Sequence, residues 1–262
     1  MGPCSRVICV SPLTWIITAL VFAGGASGGT VALWLFNDPA GSDVAVDTSG
    51  NGRDLIIGAG AAITTGGRFG NALDADAGPP EGIGAYRDRA DEALNPANKS
   101  WTLECWVKPK PGWAADNRIW GIAGTNYIAL GRPNEPEGFN IANIYLPAGG
   151  KWGRPTGKID DGNWHHLAVV YNAKSAKVIH FFDGKRKYEA SIEEWRAVPF
   201  DPKFEAVFPP QYPQLQIGWR DAIQQWGAGE LHGTAGPPKR FGGLIDEMRF
   251  SDEPLYESDF QP

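Results

Sequence analysis

Cysteine is nearly absent, with 3 among 262 residues. Cys4 and Cys9 fall within the first 26 residues, so Cys105 stands alone in the rest of the chain. Once that leader is set aside, no intrachain disulfide is available to staple the fold. Cys105 alternates with Trp101, Leu103 and Val107, which reads as a small buried apolar group with no base partner to make it a nucleophile. Basic clusters are also lacking, and the net charge is −6. Together these argue against a nucleic-acid surface. Beyond residue 26 no apolar run approaches the roughly 20 residues that a spanning helix needs. Helical periodicity over more than two turns is absent outside 191–196. Nucleophile-elbow, phosphate-loop and zinc spacings are missing as well.

The first 26 residues carry Arg6, an apolar run over 15–23, and then Gly24, Gly25 and Ala26. This is the layout of a secretory signal. It predicts a signal peptide over 1–26, a single domain over 27–262, and a place outside the cytoplasm: secreted, periplasmic or at the cell surface. Glycine and proline are frequent, at 34 and 21, and tryptophan is abundant, at 11. The first two punctuate strands. Indoles serve first as core and second as ligand platforms.

The stretch NWHHLAVVYNAKSAKVIHFFDG, 163–184, organises the rest. Trp164, His166, Ala168 and Val170 share one face at period 2, and His165, Leu167, Val169 and Tyr171 share the other. Asn172–Ser175 offers a turn, a second strand follows, and Asp183-Gly184 closes it. Both faces are bulky, which suits a hairpin inside two packed layers. Other strands are expected over 30–36, 68–76, 82–89, 101–108, 118–130, 139–146, 214–219 and 241–250. Long loops are expected over 191–213 and 220–240. Short strands at near-regular spacing without intervening helices predict an all-β, antiparallel, two-sheet sandwich.

The ordered segments LWLFND, DTSGNG, RFGNALDAD, WTLECWVKP, NWHHLAVVYN, FFDGK, LQIG and GLIDEMRFSD resemble the laminin-G-like jelly-roll family of the concanavalin A-like lectin/glucanase superfamily. The resemblance runs over about 30–259. It implies two curved sheets packed as a jelly roll. It also suggests a calcium ion near the ends of the first and last strands. The loops 191–213 and 220–240 are longer than the family's usual ones, and long loops are where a specific site can be added.

Calcium takes six to eight oxygen ligands. Asp38, Asp47, Asn51 and Asp246 are the candidates, with the glycines of the 47–52 turn free to aim carbonyls inward. A glycan needs an aromatic plane for its C–H face and polar groups for its hydroxyls. Trp219, Arg220, Asp221, Gln224, Gln225, Trp226 and His232 supply both kinds within one loop, and Trp113 and Trp152 lie in other connections. The expected ligand set is Trp219, Arg220, Asp221, Trp226, His232 and Trp152.

Glycosidase chemistry needs two carboxylates roughly 5–10 Å apart on one side of the scissile bond. Strict alternation places Leu244, Asp246 and Met248 on one face and Ile245, Glu247 and Arg249 on the other. Acids at alternating positions are then missing, and Glu247 is expected to pair with Arg249 or a neighbouring strand. His165 and His166 diverge for the same reason and read as packing residues. The expectation is therefore a binding module for a glycan or glycoprotein, supported by calcium, with no catalytic residues assigned. A protein–protein adhesion module and a divergent glycoside hydrolase or lyase are the alternatives on the same fold.

Overall fold

A computed structural model of the chain describes residues 29–87, 92–94, 100–111, 117–122, 126–130, 141–144, 161–191, 215–220, 224–226, 230–232 and 239–262. The strands run in the order β1 (Thr30–Trp34), β2 (Val44–Ala45), β3 (Leu55–Ile57), β4 (Ala62–Thr65), β5 (Asn71–Asp74), β6 (Ala85–Arg87), β7 (Trp101–Pro109), β8 (Asn117–Ile122), β9 (Asn126–Leu130) and β10 (Ile141–Ile144). They continue as β11 (His165–Asn172), β12 (Lys177–Phe182), β13 (Lys185–Ser191), β14 (Leu215–Ile217), β15 (Trp219–Arg220), β16 (Gln224–Trp226), β17 (Glu230–His232), β18 (Lys239–Arg240) and β19 (Gly243–Ser251). Among the described residues the one helical element is a 3₁₀ turn, Glu92–Leu94. None is long and apolar enough to cross a membrane.

Two antiparallel sheets result. The larger has eight strands in the order β13-β12-β11-β7-β19-β5-β4, with β1 also on β19. The smaller has seven, β10-β9-β8-β14-β6-β3-β2. The architecture is the expected all-β sandwich. Trp34, Leu73, Leu103, Val107, Leu167, Val169, Ile217 and Phe250 fill the space between the sheets.

The β11–β12 hairpin forms for the reasons its sequence gives. The Asn172 side chain accepts hydrogen bonds from the Lys174 and Ser175 amides, at 3.0 and 3.2 Å, and fixes the connection. At the far end Asp183 and Gly184 take φ of 50° and 70°, the pair of positive values that a two-residue hairpin turn of matching twist requires. Both faces of the hairpin are covered. Leu167, Val169 and Tyr171 face the inter-sheet core. Ala168, Val170, Ile179 and Phe181 form a second cluster on the outer face, roofed by Tyr256 and Phe260 from the C-terminal segment.

Three sequence expectations change. The 118–130 stretch is a hairpin, β8 and β9, in place of one strand. The 220–240 stretch is not only loop: Trp219–Arg220 pairs with Lys239–Arg240, and Gln224–Trp226 pairs with Glu230–His232. Finally, β19 does not alternate throughout. Its register on β7 shifts between Asp246 and Arg249, and Glu247 sits at φ 47°. A bulge adds one residue, so Met248 turns into the core and Arg249 turns outward. The helical reading of 191–196 extends beyond the described residues.

Candidate functional site

The outer face of the eight-stranded sheet carries the chemistry. Strand β7 sends its odd residues inward, which leaves Thr102, Glu104 and Trp106 outward. The register sets His166 beside Trp106, and Arg249 beside Glu104. Glu104 is buried, and it is fully partnered. Arg249 Nε donates to its Oε1 at 2.5 Å, and the Tyr256 hydroxyl donates to its Oε2 at 2.9 Å. His166 Nε2 lies 3.4 Å from Oε2. Burial pushes the Glu104 carboxyl up, but the His166 and Tyr256 hydrogen bonds and the Arg249 charge outweigh it and hold the acid below its ordinary range. The C-terminal segment is clamped to the same network. Thr102 Oγ1 donates to the Glu253 carbonyl and accepts from the Leu255 amide. Phe260 stacks on Tyr256 at 3.7 Å and meets His166 edge-on at 5.7 Å.

The β19 bulge corrects the expected distribution of acids. Arg249 pairs with Glu104, not Glu247. Glu247 is half-buried, and burial followed by the Asp246 charge pushes its carboxyl up while Arg249 opposes. Asp246 is buried and takes three backbone amides: Arg68 and Phe69 on one oxygen, at 2.7 and 3.1 Å, and Glu247 on the other, at 2.8 Å. The bulge therefore gathers Glu104, Asp246 and Glu247 around one face, which strict alternation forbids. Glu104 and Asp246 are already saturated with donors, so their lone pairs hold the fold and not a substrate.

What Asp246 holds is the turn between β4 and β5. Gly67 is required there: a Cβ at this position would lie 2.1 Å from the Asn71 carbonyl oxygen. Gly66 and Gly70 have φ of 88° and 134°. The turn projects two side chains over the sheet. The Arg68 guanidinium carbon lies 4.7 Å from the Trp106 ring centroid and 5.3 Å from that of Phe69. Phe69 is 50% exposed and meets Trp106 edge-on at 5.8 Å. Trp106 in turn meets His166 edge-on at 5.2 Å. An exposed apolar ring, a half-buried indole and a stacked guanidinium thus form one surface. Sequence reading missed it. The signal available was RFG in a glycine-rich turn, where a phenylalanine has no core to enter.

The expected ligand residues are placed differently. Trp219 is 1% exposed, and its indole N–H donates to the Ala85 carbonyl at 2.9 Å. It is a core residue and presents no open ring face, which corrects its assignment as a platform. Arg220 lies in β15 opposite Lys239, Trp226 in β16 opposite Glu230, and His232 in β17 opposite Gln224. Asp221, Trp113 and Trp152 lie outside the described residues.

The metal candidates serve other donors. Asp47 accepts the Leu33 and Ser49 amides on Oδ1 and the Arg53 amide on Oδ2. Burial raises its carboxyl, but these bonds outweigh that and hold it low. Asn51 presents its NH₂ to the Thr30 and Val31 carbonyls. Both Asp38 oxygens face the Val46 amide. Among the described residues no three acids, imidazoles or thiols gather closely enough to share an ion. As arranged, the four positions do not form one calcium shell.

The adjacent histidines diverge as expected. His165 is held between Asp183 at 2.9 Å and Asp161 at 3.1 Å, and the Asp161 carboxyl is pulled down to about 2, chiefly by hydrogen bonds from Asn163. His180 faces inward and neither ring nitrogen has a hydrogen-bond partner. Desolvation lowers it to about 4. Burial pushes the Cys105 thiol far up, as expected of an inert one.

Comparison with known proteins agrees with this architecture. Residues 81–204 match the Laminin_G_3 family of the concanavalin A-like lectin/glucanases superfamily. No curated protein matches the sequence. Among solved structures, domain 4 of AbnA, a GH43 extracellular arabinanase of Geobacillus stearothermophilus in complex with arabinotriose, is similar at TM-score 0.56 and 18% identity. That match covers 87% of this chain and 95% of that one. The botulinum neurotoxin DC binding domain, in complex with rat synaptotagmin II, matches at TM-score 0.52 and 9% identity, over 87% and 49%. A Trypanosoma rangeli sialidase matches at TM-score 0.50 and 16% identity, over 87% and 31%. The chain thus has the length of the arabinanase domain, but spans about half of the toxin chain and a third of the sialidase. At these identities the likeness is one of fold. The family match, over residues 81–204, takes in strands β6 to β13 of the two-sheet sandwich.

Proposed function

We propose that this chain is an exported, non-catalytic carbohydrate-binding domain, with its glycan lying across the outer face of the eight-stranded sheet at Phe69, Arg68 and Trp106. One observation carries the reading. Phe69 keeps half its surface exposed in a turn fixed by Asp246, beside an indole and a guanidinium. An aromatic side chain held rigid at the surface is what stacking on a sugar's C–H face needs. The arabinanase domain of matching length, solved with arabinotriose, supports the choice of ligand class. Export belongs to the proposal through the leader over 1–26. A calcium ion belongs to it through the family resemblance alone, as a support of the strand ends.

A glycan array with the chain and its Phe69→Ala variant tests this. Binding to at least one oligosaccharide class, lost in the variant, is the expected result. Binding that survives Phe69→Ala, or no binding to any glycan, removes the reading. Capture of a protein partner that persists after its deglycosylation removes it equally.

A further inference from the structure

Resting on the carbohydrate-binding reading, we infer that the Arg68–Phe69–Trp106 surface selects a sugar bearing a carboxylate. Several other cations of the described structure pair with an acid. Arg249 pairs with Glu104, Arg240 with Asp76, and Lys185 with Asp259. Arg68 is exposed and has no carboxylate partner among the described residues. The acid bonded to its own turn, Asp246, accepts the Arg68 and Phe69 amides. The same acid that fixes the backbone is therefore withheld from the side chain. What holds the guanidinium is instead the pair of rings beneath it, at 4.7 and 5.3 Å.

That arrangement has a chemical consequence. A guanidinium held by cation–π contact and not by an acid keeps N–H donors free, and they form a fork matched to a carboxylate. Cation–π contact orders the head without neutralising it. Phe69 alongside offers the apolar face for the ring of the same sugar. The neighbouring acids have partners of their own. Asp246 has three amide donors, and Arg249 opposes part of the shift that burial and the Asp246 charge impose on Glu247. A neutral sugar would leave the Arg68 fork without an ionic partner. A uronate, or a terminal keto-acid sugar, would complete it.

The test is titration calorimetry on the intact domain with matched pairs. Polygalacturonate is set against its methyl-esterified form, and α2,3-sialyllactose against lactose. At least one acidic member should bind about tenfold or more tightly than its neutral partner, as charge-assisted bidentate bonds are roughly twice as strong as neutral ones. The pair that shows the preference identifies the source of the carboxylate. Arg68→Gln should abolish the preference, and Arg68→Lys should restore part of it. Both variants keep the amide that Asp246 holds, so unchanged melting confirms their fold. Equal binding of acidic and neutral members overturns this inference while leaving carbohydrate binding intact. A preference that persists in Arg68→Gln overturns it as well. Failure of every acidic and neutral sugar, arabino-oligosaccharides included, overturns both readings together.

Discussion

The two faces of strands β7 and β11 solve burial in opposite ways. Inward, Leu103, Cys105, Val107, Leu167 and Val169 are apolar and need only to be packed. Outward, Glu104 and His166 are just as buried, at 5% exposure each, but they are polar and stand in a network. The C-terminal segment closes that network by supplying Tyr256 and Phe260. A buried apolar face tolerates substitutions in proportion to lost volume, whereas a buried charge tolerates removal of a partner far less.

Breaking the outer network should therefore produce the largest effect. Glu104→Ala strands the Arg249 guanidinium and leaves Tyr256 and His166 without their acceptor. The expected loss is about 3–5 kcal/mol, the range for removing one partner of a buried ion pair. Val169→Ala, on the inner face with Leu103 and His180 beside it in register, should cost about 1–3 kcal/mol. Urea denaturation of both variants checks the comparison. If the inner substitution costs more than the outer one, the network is not what fastens the C-terminal segment.

His180 is the exception on the inner face, and it sharpens the contrast. It pairs in register with Val169 and stands opposite Tyr188 on β13, yet its ring nitrogens have no acceptor or donor. Burial lowers it from 6.5 to about 4. The unfolded chain therefore takes up a proton that the folded one refuses. The stability is present above pH 6.5 and is lost as pH falls from 6.5 toward 4, amounting to about 3 kcal/mol over that window. Glu104 and Asp47, both held low, add a further loss below the ordinary carboxylate range. Thermal melts from pH 7 to 4 should fall steeply in wild type. They should stay flat down to pH 5 in His180→Leu. A wild-type melt that is flat over this range would mean that the imidazole finds a partner.

Which of these features the sequence announces follows from their physics. Period-2 alternation over 163–184 announces the hairpin, because both of its faces are buried and every residue is constrained. Asp183-Gly184 announces the turn that closes its second strand and leads into β13, because only certain residues accept positive φ twice. Nothing announces the β19 bulge. Its positive-φ residue is Glu247, not glycine, and a one-residue insertion in a strand changes no composition. That single insertion reversed the faces of Met248 and Arg249 and hid the outer network from a pattern argument. Trp219 misleads for a related reason. An indole in a polar loop sequence looks exposed until its N–H is seen to reach Ala85, a contact across 134 positions of chain.

Asp246 separates a fold-holding acid from a metal ligand. Asp246→Ala removes the acceptor for three amides of the 67–70 turn and the bulge. The cost should be about 1–3 kcal/mol, the penalty for stranding buried donors. It should be the same with and without a chelator. A wild-type melting temperature that drops on chelation, with a smaller drop in Asp246→Ala, would instead make this acid a calcium ligand.

The smallest stability effect should come from the surface that matters most for binding. Phe69 is half exposed, and among the described residues its ring meets Arg68 and Trp106 on the outer side of the sheet. Its amide, not its ring, is what Asp246 holds. Phe69→Ala keeps that amide and should change stability by no more than about 0.5 kcal/mol, as surface substitutions away from caps and cores do. The same variant should lose glycan binding. The outer face then divides into a sealed half under the C-terminal segment, where substitution unfolds, and an open half at the 66–70 turn, where substitution only silences. If Phe69→Ala proves as destabilising as Glu104→Ala, the ring is a structural cover, and the open half of the face is not a recognition surface.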